Sequence, residues 1–156
     1  MDVNLINPFI NSFLNVMPQL GFKEVKKQGV SVKGKNVKSL GVMLILGIVG
    51  DIRGSIIYSL EVESAKQIAS VMMMGFPVTE LDDMAQSALS ELSNMLTANA
   101  STNFAENGTN INISTPTLMH GNDFEAKMST DKVLCISILV DNIPVEINIS
   151  LDKFQE

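Results

Sequence analysis

The chain predicts an α/β fold of the α+β kind. It is a single domain, 1–156, with a mostly antiparallel sheet packed against long helices, in two pseudo-symmetric helix-plus-hairpin halves. Three observations predict it. Segments 3–17 and 80–105 repeat apolar residues at helical spacing. Behind each comes a pair of β-rich runs joined by a short polar turn, at Asp51-Ile52-Arg53 and at Asp141-Asn142. Finally, residues 45–61 align without a gap on 136–152: Val49 meets Val140, Ile52 meets Ile143, and Ser59-Leu60-Glu61 meets Ser150-Leu151-Asp152.

The elements follow in order. Leu5, Ile6, Phe9, Phe13, Val16 and Met17 form one apolar face over 3–17, with Pro8 tolerated in the first turns and Pro18 and Gly21 ending the helix. Residues 25–37 alternate weakly and carry Lys, as an irregular strand at a sheet edge does. Residues 40–60 form a hairpin. A helix over 62–75 has Gly75 as its C-cap, and the run Met72-Met73-Met74 is expected in the core. Thr79-Glu80-Leu81-Asp82 resembles a capping box opening the long helix, which Asn107-Gly108 ends. Strands are expected over 109–120, 123–140 and 143–151, broken at Gly121 and near Thr130-Asp131.

Composition narrows the function. Apolar residues make up 46% and charged residues 18%, so the chain is globular. With aromatics at 5% and no Trp, its ten Met and its Ile, Val and Leu must fill the core. A formal charge of −6 argues against nucleic acid, which rewards a basic surface, and against an anionic membrane surface. One Cys excludes an internal disulfide, and Cys135, inside the apolar run Val133 to Val140, is expected buried. The start MDVNLINPFINSF lacks the basic region of a signal peptide, and the longest apolar stretch, Val42 to Gly50, is too short to span a bilayer. The expected compartment is the cytoplasm.

Most catalytic constellations are absent. One His, one Cys and no ligand spacing argue against zinc. There is no phosphate loop and no GxSxG motif, and His120, beside Gly121 and Asn122, is expected in a loop. What remains is the long helix. At about 100° per residue, Ser87, Glu91, Asn94 and Ala98 share one stripe, while Ala85, Ala88, Leu89, Leu92, Met95 and Leu96 fill the core-facing sector. Glu91 and Asn94, three residues apart, stand together. Spacing alone leaves two readings open. They are ordinary polar residues on a solvated face, or a working pair in which the carboxylate binds a partner's ammonium and the carboxamide holds a water.

The stripe carries a resemblance. The spacing Ser87-x3-Glu91-x2-Asn94, with Pro116 22 positions after the Asn, is similar to the motif of the CheC/CheX/FliY family of chemotaxis phosphatases. The flanks DMAQSALSELSNMLTA and INISTPTLMHG, and GIVGDIRGSIIYS over 47–59, resemble the same family. CheC-like members carry two such motifs. Here Pro8, Ser12 and Asn15 match the spacing in the first helix, but Ser12 stands where the Glu belongs. The resemblance therefore implies one site per chain, as in the CheX branch, with Asn15 structural or vestigial. Ala98 stands where members often have Gly.

The resemblance implies a phosphatase for the aspartyl phosphate of a CheY-like response regulator. Glu91 would pair with the regulator's lysine and Asn94 would orient the attacking water, with Ser87 and Ala98 at the partner contact. Mg²⁺ would be carried by the regulator, so no cofactor of its own is implied. A homodimer formed through sheet edges is implied as well. A different class remains beside it: a noncatalytic module that binds a response regulator or a flagellar or sensory assembly.

Overall fold

The computed structural model describes residues 3–153. The chain runs α1 (Val3–Val16), a 3-10 turn (Met17–Leu20), β1 (Val25–Lys33), β2 (Asn36–Lys38), β3 (Gly41–Gly50), β4 (Ile52–Glu61), α2 (Val62–Met72) and α3 (Asp83–Glu106). It continues through β5 (Ile111–Ile113), β6 (Thr117–His120), β7 (Glu125–Lys127), β8 (Val133–Val140) and β9 (Ile143–Lys153). The main sheet has the order β1-β8-β9-β4-β3-β5, with β6 also on β3, and all its pairings are antiparallel.

The two-half architecture is as expected. The β3–β4 and β8–β9 hairpins meet at the centre, where β4 pairs with β9 from Ile52↔Lys153 to Ser59↔Glu146. Each half lends a strand to the other, because β1 lies on β8 and β5 and β6 lie on β3. Asp141 and Asn142 both take positive φ, 49° and 66°, as the two central residues of a tight hairpin turn do.

Both faces of the sheet are covered. On one face Phe9, Phe13, Ile68, Leu89, Leu92 and Leu96 from the helices pack on Leu44, Leu46, Ile56, Leu60, Ile136 and Ile147. On the other, Val37, Met43, Ile57, Met128 and Val133 cluster where the β2–β7 ribbon folds over. Strand β3 is therefore apolar on successive residues rather than alternate ones. Cys135 is buried on this second face, and desolvation pushes its thiol pKa up.

Several boundaries differ from expectation. Residues 25–37 are two strands, because β2 leaves the sheet to pair with β7. Helix α2 stops at Met72. Met74 turns left-handed at φ 61° and is 93% exposed, so the methionine run is not wholly core. Gly75 is not the C-cap but closes the turn, its N–H donating to the Ser70 carbonyl at 2.8 Å. Helix α3 begins at Asp83 because Asp82 caps it, its carboxylate accepting from the Ala85 N–H at 2.9 Å. The Thr79 capping box does not form. His120 ends β6 opposite Val42 instead of lying in a loop.

The β3–β4 turn is tighter than predicted, with β4 starting at Ile52. A Cβ on Gly50, at φ +125°, would lie 2.6 Å from the Asn110 carbonyl oxygen. Only glycine lets these backbones approach so closely. The Asp51 N–H donates to that oxygen at 3.0 Å and the Asn110 N–H to the Asp51 carboxylate at 2.8 Å, tying the end of the α3–β5 loop to the hairpin.

Candidate functional site

Helix α3 is held on its inner side by Ala85, Leu89, Leu92, Leu96, Ala100 and Phe104, all buried. Phe104 meets Phe9 of α1 edge to face, with ring centroids 5.7 Å apart. The opposite side presents Ser87, Glu91 and Ala98 exposed and Asn94 half-buried. The predicted stripe is thus a real face of the helix.

A second wall stands opposite. The expected strand 109–120 is interrupted: Ile113 pairs with Ile48 and Thr117 with Ile45, so Ser114, Thr115 and Pro116 face only Leu46 and Gly47. The extra residue is a bulge, and Pro116, which has no N–H to give the ladder, falls in it. Ser114 anchors the bulge. Its N–H donates to the Gly47 carbonyl at 2.9 Å, and its Oγ accepts from the Gly47 N–H at 2.8 Å. An open groove results, lined by Asp83, Gln86, Ser87, Ser90, Glu91 and Asn94 from α3 and by Thr115, Pro116 and Leu118 across from it.

Ser87, Glu91, Asn94 and Pro116 therefore come together, while Ala98 lies one turn beyond Asn94, outside the groove lining. Asp83, Gln86, Ser90, Thr115 and Leu118 were not singled out from sequence. The first three recur with Ser87 and Asn94 at helical spacing, a signal that was available. Thr115 and Leu118 carry none apart from their nearness to Pro116.

Among the described residues, no hydrogen bond or ion pair within the chain engages the Glu91 or Asn94 side chain. Both heads are free for a ligand from outside. The first-helix counterpart differs. The Asn15 amide donates to the Asn99 side-chain oxygen at 3.2 Å, and the Asn103 amide donates to the same oxygen at 3.3 Å and to the Pro8 carbonyl at 3.0 Å. Ser12 is buried, with its hydroxyl donating to the Phe9 carbonyl. These asparagines lace α1 to α3, which gives Asn15 a structural place.

Beneath the turn that carries Asn94, the Thr97 hydroxyl donates to the Ser93 carbonyl at 2.8 Å and accepts from the buried Tyr58 hydroxyl, also at 2.8 Å. Burial pushes the Tyr58 phenol pKa up, and the Thr97 hydrogen bond opposes this only in part. The folded state holds the phenol proton more tightly than the unfolded state. The contribution is whole below the ordinary phenol pKa of about 10 and is lost as pH rises above it. Tyr58→Phe is expected to cost about 1 kcal/mol near neutral pH. Its thermal melting should then fall less steeply than wild type above pH of about 10. Parallel melting curves for the two proteins across that range would contradict this.

Among the described residues, no three His, Cys, Asp or Glu side chains cluster to hold a metal ion, and no helix is long and apolar enough to cross a membrane.

The family described as chemotaxis phosphatase CheX matches residues 42–139, a span that contains Ser87, Glu91, Asn94, Ala98 and Pro116. The chain is 30% identical over 128 residues to the CheY-P phosphatase CheX of Thermotoga maritima, covering 81% of this chain and 82% of that one. Among solved structures, a chemotaxis protein CheX from Desulfovibrio desulfuricans superposes with a TM-score of 0.84 at 21% identity, over 95% of this chain and 99% of that one. The CheX of Borrelia burgdorferi, crystallised as a CheX-CheY-BeF3-Mg²⁺ complex, superposes at 0.78 with 24% identity, over 96% and 98%. With its fold and its sequence in agreement, the chain belongs to the chemotaxis phosphatase CheX family.

Proposed function

We infer that this protein dephosphorylates a phosphorylated CheY-like response regulator, using Glu91 to hold it and Asn94 to position the water. The observation that carries the reading is the pair of unengaged side chains, one turn apart on α3, at a groove walled by Pro116. A carboxylate with no internal partner suits an ammonium from outside, here the regulator's active-site lysine. A free carboxamide can accept one hydrogen of a water with Oδ1 and donate to its oxygen with Nδ2, leaving a lone pair aimed at phosphorus. The water oxygen then bonds to phosphorus, the bond to the regulator's aspartate oxygen breaks with its electron pair left on the carboxylate, and the water's protons leave on the oxygens of inorganic phosphate. Catalysis of this kind works by positioning. Mg²⁺ belongs to the regulator in this reading. The Thermotoga relative is itself called a CheY-P phosphatase, and the Borrelia neighbour was captured on CheY.

The direct test follows phosphate loss from a Mg²⁺-loaded, phosphorylated CheY-like regulator with and without the protein. Faster decay supports the reading. Saturable binding without faster decay would replace it with a noncatalytic docking role. The reading also places the protein in the cytoplasm with its regulator, and cell fractionation that finds it elsewhere would count against this.

The same reading includes a homodimer. Strand β1 supplies an edge, since among the described residues it pairs only with β8, and its outer N–H and C=O groups would face a second copy. Light scattering should give a mass near twice the 16.9 kDa of the chain. A monomeric mass would remove the dimer and leave the catalytic proposal standing.

A further inference from the structure

Every Lys and Arg of the chain lies at or before Lys66 or at or after Lys127. The stretch between them builds all of α3 and the Pro116 wall. Its charges are Glu80, Asp82, Asp83, Glu91, Glu106, Asp123 and Glu125, all acidic. Among the described residues, the groove lining holds two carboxylates, Asp83 and Glu91, and no Lys or Arg. Among the described residues of α3, one large apolar side chain is exposed, Met84, 68% open to solvent at the second position of the helix. Taking Met84 as the origin and about 100° per residue, Ser87, Glu91 and Ala98 fall within about 60° of it on the outer crest. Asn94 lies about 20° farther round, toward the groove. The Asp82 cap fixes the helix just before Met84, so its backbone position is set by folding.

We propose that Met84 is an apolar anchor for the regulator, flanked by Asp82, Asp83 and Glu91. It would receive a regulator surface that carries an apolar side chain with basic neighbours. The proposal rests on the phosphatase reading above and extends its contact by two helical turns. The crest is continuous from Met84 to Glu91, seven residues apart, or about 10 Å along the axis. That distance keeps Met84 away from the reacting atoms, so it acts on affinity and partner choice. Charge complementarity points to the same occupant, because an acidic rim around an apolar knob favours a basic surface and disfavours acidic ones. A flexible thioether fits apolar surfaces of varied shape.

The test titrates a CheY-like regulator loaded with Mg²⁺ and beryllofluoride into wild-type protein, Met84→Gln and Met84→Leu. It also measures turnover on the phosphorylated regulator at saturation. Met84→Gln should raise Kd about tenfold and leave saturated turnover unchanged, while Met84→Leu stays within about threefold of wild type. Melting temperatures should match, because the side chain is exposed. A Kd for Met84→Gln within about twofold of wild type would overturn the proposal, as would a loss confined to turnover. Normal wild-type hydrolysis with that unchanged Kd sinks the anchor alone. A wild-type protein that neither binds nor hydrolyses the regulator sinks the phosphatase reading along with it.

Discussion

Replacing Asn94 with Ala is expected to leave the regulator bound and to slow hydrolysis of its aspartyl phosphate by about 10²-fold or more. The size follows from the role. A water that is free to reorient loses its in-line approach, and in the proposed mechanism positioning is nearly all that this chain would supply to the reaction. The substitution is a clean probe. Among the described residues no internal hydrogen bond holds the Asn94 side chain, and Ala is the better helix former, so α3 should stay intact. Single-turnover decay with saturating protein isolates the chemical step, and a parallel titration reports binding. A variant that hydrolyses the phospho-regulator as fast as wild type would exclude the Asn-oriented water.

Replacing Glu91 with Ala is expected to strike docking first. Its carboxylate is exposed in the free protein and would be desolvated against the regulator's lysine in the complex. Removing it leaves that ammonium unpaired, which costs about 30-fold or more in Kd. Glu91→Gln should recover little of this, because the shape returns without the charge. Wild-type affinity should also weaken with added salt more than that of the variants. Equal affinities for wild type and Glu91→Gln at low salt would mean that the carboxylate meets no cation. The two substitutions thus separate by readout, one in saturated rate and the other in binding.

The core of the candidate site was legible because helical periodicity is local. Glu91 and Asn94 belong to one turn, and leucines and alanines on the other side of α3 state which way they face. Asn15 was legible only as a doubtful copy. Its lacing to Asn99 and Asn103 joins residues far apart in the chain, and no local pattern announces such a contact. The misjudged ends have physical causes too. Thr79 offered a capping pattern, but the helix starts three residues later, where the Asp82 carboxylate accepts from the Ala85 N–H. The Met72-Met73-Met74 run reads as core by composition, yet the left-handed turn at Met74 takes its side chain out to solvent.

By itself the sequence determined the two-half α+β plan, the polar stripe on α3 and the family, since each rests on short-range periodicity or on the order of residues along the chain. Only the tertiary structure decided that β1 would cross to β8, and that β2 would leave the sheet for β7 and cover its second face. It also decided that a bulge at Pro116 would stand against α3 and turn a helix face into a groove. These features depend on strand register and on backbone groups that meet across long loops, as at Asp51 and Asn110. Which partner satisfies a distant N–H or C=O is settled by the assembled sheet and not by the residues beside it.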